Sequence, residues 1–241
     1  MTQPFNTNKI QFYLTVPAPC PYLPHLMERK VFTQLDPING PLLNNHLTHF
    51  GFRRSQNVIY RPACENCNSC ESLRIKIDDF KYKKSFRRVL KINSDLNVSI
   101  KPPIATNEQF ELLQHYLKSR HDGGGMSEID FSRYQMMVEE CASETDIIEF
   151  RNKKNNLLGV SLIDNLSDGY SMVYSFFDTT FKTKSLGTFM ILNQINRCKK
   201  NDFPYLYLGY WVKGSKKMEY KSRFQPYELL SENGWHTIRK S

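Results

Sequence analysis

Leu73, Ile75 and Ile77 alternate with Arg74 and Lys76, and a period of two predicts a strand with one buried face. Residues 84–94 read as a short basic helix whose apolar side is Phe86, Val89 and Leu90. From Thr106 the period lengthens. Phe110, Leu113 and Leu117 fall on one helical face, and Gln109, placed three residues after Thr106, completes a capping box. A second helix is predicted from Phe131 to Cys141. Strand-like runs follow at 147–151, 157–164 and 170–178, with hairpin chemistry between them at Asn155-Asn156 and Asp168-Gly169. A helix over 185–199 then leads into an aromatic strand at 205–212.

An antiparallel meander, a crossover helix and one more strand imply a parallel pair inside a mixed sheet. The expected class is α+β. Acetyltransferase-like folds share this order and hold an acyl donor in a V-shaped splay between the parallel strands; many other α+β folds share the order too. Lys101-Pro102-Pro103 interrupts regular structure. It divides the chain into an N-terminal basic, cysteine-bearing subdomain (1–100) and a transferase-like domain (101–241).

The chain of 241 residues is 40% hydrophobic, enough for a core. Its 33 Lys and Arg against 24 Asp and Glu leave a formal charge of +9, which suits an anionic partner, nucleic acid being the commonest. The first residues, MTQPFNTNKIQFYL, do not have the layout of a secretory signal, and no apolar run approaches the roughly 20 residues of a membrane helix. The expectation is a soluble, cytoplasmic protein with no membrane partner.

Six cysteines then read as free thiols, metal ligands or catalytic groups rather than a disulfide framework. Cys64, Cys67 and Cys70 form C-x-x-C-x-x-C, a spacing that lets neighbouring thiolates face one ion, and Cys20 is the natural fourth ligand. A structural zinc or an iron–sulfur cluster fits that set; a cluster of reduced thiols is the alternative. Cys141 and Cys198, alone on predicted helices, read as buried small hydrophobes.

Lys81, Lys83, Lys84, Arg87 and Arg88 surround Tyr82 and Phe86, and Arg53 and Arg54 add charge near the cysteines. Phosphates of folded RNA pair with such a run, and a solvated helix face explains it equally well. Arg61, before Pro62, is placed to aim a guanidinium at a carboxylate or phosphate. Arg120 and His121 end the Thr106 helix ahead of Gly123, Gly124 and Gly125, which suit either a close ligand approach or a plain helix cap.

Taken together, GFRRSQNVIYRPACENCNSC, LRIKIDDFKYKKSFRR, SRHDGGGM, SFFDTTFKTKSLGT and YLYLGYWVKGSKKMEYKSRFQPYELL resemble the aminoacyl-tRNA–protein transferases of the N-degron pathway. The resemblance runs from about Gln11 to Trp235 and is closest to the short bacterial branch, the aspartate/glutamate leucyltransferases. It implies an acetyltransferase-like (GNAT-like) mixed sheet with flanking helices. It further implies transfer of Leu from Leu-tRNA to the α-amine of proteins beginning with Asp or Glu, marking them for degradation. The longer arginyltransferases carry a second cysteine where this chain has Leu23, and a cysteine pair where it has the C-x-x-C-x-x-C run. That departure favours the leucyl branch over the arginyl one.

Such a reaction needs no cofactor for its chemistry. An amine attacks an activated ester, so the site must align the two, accept a proton and hold an oxyanion. Arg61, Arg120 and Lys221 are the candidate cations for an acidic acceptor, Tyr210 a pocket wall, and His121 and Glu219 the candidate bases. Two rivals remain at this point: a coenzyme A-dependent N-acetyltransferase, and a zinc-containing RNA-binding module without activity.

Overall fold

The structure, a computed structural model, describes residues 10–120 and 129–239. The chain begins with β1 (Tyr13–Leu14), β2 (Ala18–Pro19), β3 (Met27–Glu28), β4 (Lys30–Gln34), α1 (Gly40–His49), β5 (Arg53–Ser55) and β6 (Val58–Pro62). Four of these strands form a small antiparallel sheet in the order β1-β4-β6-β5, while β2 pairs with β3. Leu35, Leu43, Leu47, Phe52 and Ile59 make its own core with α1. None of this small sheet is visible in the periodicity, because its strands run for only two to five residues.

Next come β7 (Cys70–Lys76), α2 (Lys84–Ile92), β8 (Asn97–Lys101), α3 (Asn107–Arg120), α4 (Phe131–Glu139), β9 (Thr145–Arg151), β10 (Leu157–Leu166) and β11 (Gly169–Phe177). The crossover helix α5 (Leu186–Lys200), β12 (Tyr205–Val212), β13 (Tyr227–Ser231) and β14 (Gly234–Ile238) complete the chain. Eight strands form one mixed sheet ordered β14-β13-β7-β12-β11-β10-β9-β8, parallel only at β11/β12 among its described pairs. The predicted meander, crossover and parallel pair are present, and the acetyltransferase-like mixed-sheet class holds. The segment Lys101-Pro102-Pro103 runs from β8 into α3, so residues 1–100 supply β7 and β8 to the large sheet.

Side chains alternate between the faces of the large sheet as the pleat requires. On β9, Ile147 packs with Leu113 and Leu117 of α3 and Tyr134 and Val138 of α4. Ile148 and Phe150 face the opposite way, with Phe86 of α2 and Leu186, Phe189 and Leu192 of α5. Burying Leu113 and Leu117 contributes about 1.5–3 kcal/mol each. The predicted capping box is formed: Gln109 N–H donates to Thr106 Oγ1 at 3.3 Å and Thr106 N–H donates to Gln109 Oε1 at 3.1 Å.

β7 differs from its expected half-buried state. It lies between β13 and β12 and is covered on both faces, with Leu73 and Ile75 at 0% exposure and Arg74 at 7%. Arg74 is tolerated there because Nε donates to Glu228 Oε2 at 2.7 Å, while its guanidinium lies 3.6 Å from the Tyr205 ring centre and 4.2 Å from that of Trp235.

Candidate active site

β11 and β12 pair through only three register positions, from Gly169↔Tyr205 to Ser171↔Tyr207. Beyond them the strands part. β12 carries a register shift against β7 between Tyr207 and Gly209, and Gly209 has φ +76°. The opening would strand backbone groups of β11, and Arg53, reaching in from β5, satisfies one of them and a neighbouring hydroxyl. Its Nη2 donates to the Met172 carbonyl at 2.6 Å and its Nη1 to Ser171 Oγ at 3.2 Å. A Cβ on residue 209 would lie 2.7 Å from Arg53 Cζ, so glycine is what lets the guanidinium lie flat against the strand. Arg53, expected among the tRNA-binding residues, sits inside the splay. The signal available in the sequence was the glycine inside an otherwise aromatic strand, a mark of close approach.

A short turn of 3-10 helix, Glu219–Arg223, packs on β12. It carries Lys221 into the protein, where 7% of the residue remains exposed and Nζ donates to the Tyr210 carbonyl at 2.6 Å. Burial pulls the Lys221 amine down to about 7, and the nearby Arg53 guanidinium acts in the same direction. Lys221, expected among the cations for an acidic acceptor, is therefore enclosed rather than exposed. Tyr210 Oη lies 2.8 Å from the Gly51 carbonyl and 3.0 Å from that of Tyr60. Burial raises its phenol well above the usual value; Tyr60 adds to this, and Arg53 and Arg61 oppose it. Tyr210 therefore borders the site as a neutral, anchored wall.

Arg61 is exposed, with its guanidinium 5.3 Å from the Phe52 ring centre. Arg120, at the end of α3, stands 5.9 Å from the ring centre of Phe177 at the end of β11, beside Tyr116 at 5.2 Å from the same ring. Arg53, Lys221, Tyr210 and Arg61 thus share one neighbourhood, and Arg120 marks the far end of β11. Glu219 is exposed at the start of the 3-10 turn. His121 lies outside the described residues.

Lys81, Lys83, Lys84, Arg87 and Arg88 are all exposed, while Phe86 is buried at 1% exposure and fastens α2 to the core. The phenol of Tyr82 donates to Asn196 Oδ1, which ties the same segment to α5. Arg54 does not belong to this cationic surface. Its side chain is 1% exposed, and Nε and Nη2 reach the two oxygens of Asp164 at 2.7 and 2.6 Å. Asp164 also accepts from Asn44 Nδ2 at 3.0 Å and Thr145 Oγ1 at 2.8 Å. A guanidinium so enclosed cannot meet a phosphate, and its role is to bolt the small sheet to β10.

The cysteines Cys20, Cys64, Cys67 and Cys70 occupy one region. Burial pushes the Cys70 thiol up to about 11, and Cys20, Cys64 and Cys67 each add to that rise. Cys20 Sγ accepts from the Leu23 N–H at 3.4 Å and Cys64 Sγ from the Arg29 N–H at 3.5 Å. The donor chemistry suits a thiophilic ion. As placed, however, no three His, Cys, Asp or Glu side chains among the described residues are grouped closely enough to hold one. Cys198 is fully buried in α5 as expected, whereas Cys141, beyond the end of α4, is only partly buried.

Residues 18–88 match the family model described as arginine-tRNA-protein transferase, N terminus, and residues 108–231 match its C-terminus counterpart. The chain is 49% identical over 235 residues to the aspartate/glutamate leucyltransferase of Maricaulis maris (strain MCS10), covering 98% of this chain and 92% of that one. It is 48% identical over 240 residues to the protein of the same name from Phenylobacterium zucineum (strain HLK1), covering 98% and 93%. Among solved structures, L-PGS from Bacillus licheniformis aligns at 11% identity with a TM-score of 0.50, over 81% of this chain and 64% of that one, a likeness of fold. No helix among the described residues is long and apolar enough to cross a membrane.

Proposed function

The chain belongs to the arginine-tRNA-protein transferase family, in its aspartate/glutamate leucyltransferase branch, and from that premise we propose that it moves Leu from Leu-tRNA to the α-amine of proteins that begin with Asp or Glu. The amine attacks the ester carbonyl, a tetrahedral intermediate forms, and the 3′ ribose oxygen of the tRNA leaves. The ester is already activated, so the protein's task is alignment, charge and one proton transfer. The splay between β11 and β12, lined by Arg53, Tyr210 and Lys221, is the observation that carries this reading. This polar splay is the slot proposed for the aminoacyl end.

Arg61 is the exposed cation beside that slot and takes the acceptor's side-chain carboxylate, with Arg120 the second candidate. The exposed run on α2 takes tRNA phosphates. The reaction belongs to the cytoplasm, where its product, a protein beginning with Leu, enters the N-degron pathway. Cys20, Cys64 and Cys67 lie around Cys70; as placed they are not grouped closely enough to hold an ion, and their thiolate chemistry supports a further proposal, a structural thiophilic metal. Metal analysis of anaerobically purified wild type against Cys64→Ser tests it: bound metal lost in the variant supports the site, and metal-free wild type contradicts it.

The activity itself is tested by mass spectrometry of peptides beginning with Asp, Glu or Ala after incubation with Leu-tRNA. Addition of one leucine to the acidic peptides alone is the expected result.

A further inference from the structure

Lys221 is a primary amine enclosed in protein at the edge of the slot, and no carboxylate is paired with it among the described ion pairs. A buried lysine in such a place usually has a counter-ion if it must stay charged. Here its nearest described partners are a backbone carbonyl, Tyr210 O at 2.6 Å, and a second cation, Arg53. Two of these surroundings favour the uncharged amine, low solvent contact and a fixed positive charge nearby, while the carbonyl accepts an N–H from either form. A neutral Nζ donating one N–H to Tyr210 O keeps its lone pair for a proton.

We propose that Lys221 Nζ is the proton acceptor of the transfer step, and that Arg53 is the positioning residue that shapes the slot and holds this amine ready. The inference rests on the aminoacyl-transfer reading above. As the acceptor's nitrogen bonds to the ester carbonyl carbon, its proton passes to the lone pair of Nζ. As the intermediate collapses, the C–O bond to the 3′ ribose breaks, and the Lys221 ammonium returns that proton to the departing oxygen. Of the other two protons of the original α-ammonium, one goes to solvent before the attack and one stays on the new amide nitrogen, so atoms and charge balance and the enzyme ends as it began.

The groups facing Nζ are Arg53 from β5 and the Tyr210 carbonyl from β12; on its own turn, Glu219 and Arg223 are exposed. Glu219, a candidate base on sequence grounds, is exposed at the start of the turn, whereas Lys221 is enclosed against β12.

Leu transfer is measured as kcat and KM for wild type, Lys221→Met, Lys221→Arg, Arg53→Lys and Arg53→Met, with circular dichroism melts as the folding control. General-base loss predicts a fall in kcat of about 10²- to 10⁴-fold in Lys221→Met with KM little changed. Lys221→Arg is expected to be equally impaired, because a guanidinium keeps the charge and cannot accept the proton. In wild type kcat/KM should fall on the acid side through a limb near pH 7. Arg53→Met should move that limb to higher pH, while Arg53→Lys leaves it in place. A limb set by the free acceptor's own α-amine does not move with either substitution, and that result overturns the proposal. A folded Lys221→Arg enzyme with near-normal kcat overturns it as well, and so does a normal Lys221→Met. In those cases the transferase reading stands as long as wild type transfers Leu; a folded but inactive wild type removes both.

Discussion

Arg53 lies flat against Gly209, with the guanidinium carbon 2.7 Å from where a Cβ on residue 209 would be. The pair joins two sheets: Arg53 comes from the small N-terminal sheet, Gly209 from the bulge in β12. Through it, a residue of the family model's N-terminal match helps build the slot of the C-terminal match.

Gly209→Ala should therefore push Arg53 out of the splay and also strain a residue at φ +76°, a backbone cost of about 1–2 kcal/mol. Leu transfer is expected to fall at least tenfold. In the double variant Gly209→Ala, Arg53→Ala the clash is gone, so the stability losses should be less than additive. Full additivity in thermal melts would show that the two side-by-side residues do not act as a unit.

Arg54 and Asp164 make a different kind of bridge between the sheets, one of stability. Both side chains are 1% exposed, and removing one partner leaves a buried charge alone. Arg54→Ala is expected to lower unfolding free energy by about 3–5 kcal/mol, with no change in tRNA affinity for the fraction that remains folded. Chemical denaturation gives the first quantity and filter binding the second. A stable Arg54→Ala protein with weakened tRNA binding would return this residue to the nucleic-acid surface.

Several elements were legible because their signals are local. The capping box at Thr106 and Gln109 and the strand Tyr205–Val212 follow from residues within a turn or two of each other. The β11/β12 parallel pair followed from element order alone. Arg74 was misread as solvent-facing because its partner, Glu228, stands 154 residues away; the same holds for Arg54 and Asp164, 110 apart. Lys221 looked like a plain cation for the same reason. Its enclosure comes from β12 and from Arg53 on another sheet, which no local pattern reports. The strands β13 and β14 carry no clean alternation, with Leu229 and Leu230 adjacent in the first and Gly-Trp-His-Thr-Ile making up the second.

The α2 charges should behave as a diffuse electrostatic surface. Lys83→Ala, Lys84→Ala and Arg87→Ala together are expected to weaken Leu-tRNA binding and to make the slope of log K against log salt shallower, by roughly 0.7–0.9 for each phosphate no longer neutralised. Melting temperature should hardly change, since all three side chains are exposed. An unchanged salt slope would place the tRNA elsewhere.

The most direct measurement is a donor comparison: purified protein with Leu-tRNA or Arg-tRNA, and peptides that begin with Asp, Glu or Ala, read by mass. The expected result is one added leucine on the Asp and Glu peptides, none on the Ala peptide, and no arginine on any. Arginine transfer to the acidic peptides would contradict the leucyl assignment, and folded protein that transfers neither residue would contradict the proposed activity itself.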